Sequence, residues 1–199
     1  SRPAFRPERV PGCMVDVLGH LGMALLWLAP VWYFVDHRKT AALVVAGGFW
    51  FGMLPDVDLV LSNWFAGIHH HGVVPTGLAV SVLAVALGPP VGWTLARVGE
   101  RTGWFAAAAT ERATAIGVIV VWVTGVSHVF ADVLSAPDAS TRIEPLWPLV
   151  EGPVVMLDVL WYQSFWATWG LFALGVTANA LAWYHSDGRG QSNGSTLST

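Results

Sequence analysis

A single cysteine, Cys13, in 199 residues rules out an intrachain disulfide and any thiolate zinc knuckle. Charge is scarce as well: Asp, Glu, Lys and Arg make up 12% of the chain, and the formal net charge is −3. This leaves no basic patch of the kind nucleic acid requires, so no nucleic-acid partner is expected. No internal repeat is visible. No small-residue cleavage site follows the arginine- and proline-bearing residues 1–16, and the apolar stretch after them is too long for the core of a signal peptide. That segment reads as a juxtamembrane leader. What fills the chain instead is apolar surface: 54% hydrophobic residues and a mean hydropathy of +0.55, beyond an ordinary soluble domain. With twelve tryptophans, whose indoles favour the headgroup level, this predicts an integral membrane protein surrounded by membrane lipids.

The hydropathy pattern predicts an all-α, polytopic membrane protein of about five transmembrane helices of roughly 20 residues each, some broken by proline or glycine. The expected spans are 17–35, 41–61, 77–96, 113–134 and 157–184, within a membrane-embedded domain over 17–185. Pro30 marks a kink or break near the end of the first, beside an aromatic group of Trp27, Trp32 and Tyr33. Gly48 and Gly52 form a GxxxG pair on the second, a weak signal because small residues are common in membrane helices. Gly88-Pro89-Pro90-Val91-Gly92 is a second kink candidate. Residues 36–39 read as a polar turn, and 97–112 as an interfacial turn with a short helix. The Gly/Ser/Thr-rich residues 186–199 are expected to be a disordered tail.

One stretch organises the rest: Gly52-Met53-Leu54-Pro55-Asp56-Val57-Asp58 places two carboxylates behind a proline at the end of an apolar run. Proline removes a backbone donor and disfavours helix at the residue before it. Irregular backbone at membrane depth is tolerated only where it is buried in protein or lines a wet cavity. Asp56 and Asp58 are therefore expected to face a cavity. Capping of a helix end explains one of them, hardly both.

Counting spans puts the start of the first, the end of the second, the loop after it and the end of the fourth on one side of the membrane. His20, Asp56, Asp58, the run His69-His70-His71, His128 and Asp132 all fall there. His128 and Asp132 are spaced i, i+4, which stacks their side chains on one helix face. A lone histidine within a span is more often a core residue bonded across helices; the aspartate one turn on reverses that preference. Imidazole and carboxylate suit a divalent ion such as Zn or Mn. The donor set His20, Asp56, Asp58, His70, His71, His128 and Asp132 is large enough for one or two ions, with Asp58 or Asp132 serving as base or ligand. The triple histidine also reads as a solvated loop from which one residue serves as ligand. His37 and His185 read as interface residues, and Trp147 between prolines as part of a rigid loop packed on the span ends.

In this order, His20, Leu54-Pro55-Asp56-Val57-Asp58, His70-His71-Gly72, Ser127-His128 with Asp132, and Pro145-Leu146-Trp147-Pro148 resemble the YdjM-type family of inner-membrane-associated, metal-dependent hydrolases. The resemblance covers residues 17–150 and implies a multi-pass protein of a prokaryotic cell membrane. Where the family carries a second histidine in its histidine segment, this chain has Pro75, so His69 or His71 is expected to stand in.

Two function classes follow. One is a metal-dependent hydrolase acting on an ester or phosphoester, such as a lipid head group, at the membrane interface. The other is a non-catalytic membrane protein, a metal or proton transporter or a structural subunit with a degenerate site. Clustering of the polar groups at one end favours the first.

Overall fold

The computed structural model describes residues 13–57, 76–135, 145–150 and 164–192. The fold is all-α, with no strand among the described residues. Helix α1 is Cys13–Leu28; after a turn at Ala29 and Pro30 the one-turn helix α2, Val31–Phe34, continues it, so the chain breaks where Pro30 predicts. Helix α3 is Arg38–Gly48 and passes directly into a 3-10 segment, Phe49–Asp56. Helix α4 is Gly77–Thr102, α5 is Ala107–Glu111 and α6 is Ala113–Ser135. A π-helical turn, Trp166–Gly170, leads into α7, Leu171–Ser192.

Among the described residues, three helical stretches are long and apolar enough to cross a bilayer: Val17–Phe34, Gly77–Thr102 and Ala113–Ser135. They point to a membrane protein, and exposed Trp93, Trp122, Val85 and Ile119 on the last two present apolar surface outward. The expected second span departs from its prediction. Regular α-helix ends at Gly48, well before Pro55, because the chain tightens into a 3-10 coil that carries Gly52 against α1. The kink candidate at residues 88–92 does not end the helix: α4 runs on through Pro89 and Pro90, and the Thr94 hydroxyl donates to the Pro90 carbonyl at 2.7 Å. It continues to Thr102, where Gly103 at φ 68° closes it in the left-handed conformation open to glycine. At the other end of the chain, α7 extends past Ser186 to Ser192.

Small residues bring the helices together. A Cβ on Gly88 would strike the Val118 backbone, one on Gly92 the Ala113 carbonyl, and one on Gly117 the Gly88 carbonyl, so α4 and α6 touch backbone to backbone. Gly22 and Gly175 do the same for α1 and α7. Lipid offers little hydrophobic drive between helices, and such close van der Waals approach replaces it. Polar ties add specificity. Asn179 on α7 accepts from Trp32 Nε1 at 2.8 Å and donates to the Leu25 and Gly175 carbonyls at 2.9 and 2.8 Å. Trp32 also meets Trp183 edge-on, whereas Trp27 packs on Phe130, so the aromatic group expected near Pro30 divides between two helix contacts. The Gly77 N–H donates to the Pro145 carbonyl at 2.9 Å, which ties the Pro145-Leu146-Trp147-Pro148 loop to the start of α4.

Candidate metal centre

Three elements meet at the site. Glycine at 22 lets α7 lie close against α1 just after His20, and the π turn packs beside Gly19 at ordinary contact distance. The 3-10 segment delivers Asp56 from its last residue, and α6 supplies His128 and Asp132 one turn apart. Gly52 is the hinge of this convergence: a Cβ there would lie 2.7 Å from the Ala24 Cβ and 3.4 Å from the His20 carbonyl.

His128 Nε2 lies 3.2 Å from Asp56 Oδ1 and 3.3 Å from Asp132 Oδ2. The other oxygen of Asp132, Oδ1, is 3.5 Å from His20 Nε2. The two imidazoles stack with centroids 3.8 Å apart and planes 14° from parallel. Ligand atoms of His20, Asp56 and His128 all fall within 4.8 Å of one another, a spacing that could hold a metal ion. His20, His128 and Asp132 are buried, at 1%, 1% and 3% exposure, while the Asp56 side chain keeps 21%. Packing by α1, the 3-10 segment and α6 encloses three of the four groups and leaves Asp56 as the edge nearest solvent.

The His128 ring has a defined tautomer. Its Nδ1 is 2.6 Å from the Gly52 carbonyl oxygen, which can only accept, so Nδ1 carries the hydrogen. The Nε2 lone pair then faces two carboxylate oxygens, an arrangement that requires a proton or a metal cation between them. Metal-ligating histidines are commonly held this way, with the second nitrogen donating to a carbonyl. Two imidazole nitrogens and the Asp56 carboxylate are a donor set that could hold a metal ion, with Asp132 bridging the two rings beside it.

The structure thus brings together His20, Asp56, His128 and Asp132 from separate parts of the chain. Asp58, His69, His70 and His71 lie outside the described residues. His37 and His185 are exposed, away from this cluster. The Gly52 carbonyl was not among the candidate groups, since a backbone acceptor has no residue signature; the GxxxG pair is its only trace. No protein-family model, curated protein or solved structure matches this chain.

Proposed function

We propose that this chain is a membrane-embedded, metal-dependent hydrolase that acts on an ester or phosphoester at the membrane interface. The observation that carries the proposal is the placing of His128 Nε2 between Asp56 and Asp132 while Nδ1 is committed to Gly52. His20, Asp56, His128 and Asp132 would hold the ion, Zn or Mn. Asp58 with His70 or His71 would complete a second. When bound, such ions supply Lewis-acid chemistry at an acyl or phosphoryl oxygen.

The chain's own groups divide the work by burial. Asp132, with one oxygen toward each histidine, holds both rings in place. Asp56, on the exposed edge, is the described carboxylate that substrate and water reach first. Asp58, two residues on, is the proton acceptor in this reading. The YdjM-type resemblance points to the same class and to a multi-pass protein of a prokaryotic cell membrane, with a lipid-derived substrate. Its support is the motif residues alone.

The near-complete burial of His20, His128 and Asp132 favours a second reading, since structural metal sites are closed whereas catalytic ones keep an open position. In that reading the chain is a non-catalytic membrane protein. Hydrolysis of a generic phosphoester and a generic carboxylester with added Zn or Mn separates the two. The catalytic reading expects turnover abolished by chelator and by Asp56→Asn. Turnover indifferent to both, or no turnover from metal-loaded protein, selects the second.

A further inference from the structure

At the opposite end of α6 from the metal centre, two adjoining cavities together have the outline of an amphiphile. The larger, about 390 Å³, is walled by apolar side chains including Phe34, Val44, Ile116 and Ile119. Phe34 and Ile119 are exposed, so the groove is open along one wall, on stretches apolar and long enough to cross a bilayer. Its polar residues, Asp36, His37 and Arg112, belong to the chain segments at the ends of the spans, where head groups lie. The smaller, about 250 Å³, shares His37 and Ala106 with the groove and adds Arg38, Lys39 and Gly103. Among the residues lining the pair, three cations, Arg38, Lys39 and Arg112, stand against one carboxylate, Asp36. Arg38 is held in place over the Trp183 ring at 4.3 Å.

We propose that these joined cavities hold an anionic phospholipid of the surrounding bilayer, with an acyl chain in the groove and its phosphate among Lys39, His37 and Arg112. An acyl chain has no hydrogen-bonding groups, which suits the walls of the groove. A free fatty acid would bring too short a head to occupy the second cavity, and a zwitterionic lipid would not use the excess positive charge. Basic clusters at the ends of spans recognise anionic head groups through this local field. Ile116 is about 18 Å along α6 from His128 at the helical rise, so this is a site separate from the metal centre. The inference rests on the membrane setting of the chain and is independent of the metal reading.

The test is native mass spectrometry of the full chain in detergent after exposure to vesicles of phosphatidylglycerol or of phosphatidylethanolamine. Retention of phosphatidylglycerol over phosphatidylethanolamine is expected. Lys39→Gln and Arg112→Gln should each weaken it about five- to tenfold, the size of one cation near a charged head group. Ile119→Trp, a substitution on the exposed wall, should block the groove and abolish retention while leaving metal content unchanged. Equal retention of the two lipids, or retention untouched by all three substitutions, overturns the proposal. So does an adduct that follows only the detergent.

Discussion

His128 donates its Nδ1–H to the Gly52 carbonyl across 2.6 Å, joining α6 to the 3-10 segment at the point where both meet α1. The 3-10 segment can lie so near α1 at this point only because residue 52 has no side chain. Gly52→Ala would put a methyl 2.7 Å from the Ala24 Cβ, and the segment would have to back away from α1. Overpacking of this kind is expected to cost about 1–3 kcal/mol. On the metal reading proposed above, displacing the carbonyl that orients the His128 ring should lower metal affinity about 10- to 100-fold. Thermal unfolding in detergent and zinc titration measure the two effects separately. Weakened stability with unchanged affinity would mean that the carbonyl does not set the ring.

Asp132 touches both histidines through different oxygens, so it is the residue whose loss should disturb the centre most. Asp132→Asn keeps the shape but turns one oxygen into a donor group facing imidazole nitrogen. Elemental analysis of the purified variant should show metal reduced to background while circular dichroism retains the helical signal. Metal retained at the wild-type level would remove Asp132 from the ligand set.

Hydropathy and helical period made part of this architecture legible. The first, third and fourth expected spans begin within the apolar runs that form Val17–Phe34, Gly77–Thr102 and Ala113–Ser135. The His128 and Asp132 spacing places both on one face because the period of an α-helix demands it. What decides the rest is tertiary. Helix propensity alone does not distinguish an α-helix ending at Gly48 from one running on to Pro55; the tighter coil follows from packing of Gly52 on Ala24. Pro89 and Pro90 leave open whether the helix ends, and it is the packing of Gly88 and Gly92 against the α6 backbone that accompanies its continuation to Thr102. The pairing of His20 with Asp132 joins residues far apart in the chain, which no local pattern encodes.

Asn179 offers a test of the packing away from the centre. Its side chain bonds Trp32 and two backbone carbonyls between α1 and α7, all in a buried position. Asn179→Leu leaves the Trp32 indole N–H without that acceptor. Polar contacts between membrane helices contribute about 0.6 kcal/mol on average and up to about 1.7. A loss of about 1 kcal/mol in reversible unfolding is expected, with metal content unaltered. A loss of metal as well would show that the α1–α7 contact holds His20 in position.

The last prediction concerns how α3 and the 3-10 segment lie in the membrane. Neither is a long apolar helix, and together they are absent from the three spanning stretches. Yet 11 residues of α-helix and eight of 3-10 helix extend about 32 Å at their respective rises, close to the hydrocarbon thickness of a bilayer. Their ends also differ in surroundings. Thr40 near the start accepts from the Ala106 N–H and donates to the Trp104 carbonyl, next to α5, whereas Asp56 at the finish reaches the far end of α6. A composite crossing is the simplest arrangement that joins those two ends. With Cys13 replaced by serine, single cysteines introduced as Lys39→Cys and Arg101→Cys should react with an impermeant maleimide from one side of sealed vesicles, and Val57→Cys from the other. Labelling of positions 39 and 57 from the same side would mean that this segment re-enters rather than crosses. The metal centre and the cavities around His37 would then have to open to the same compartment.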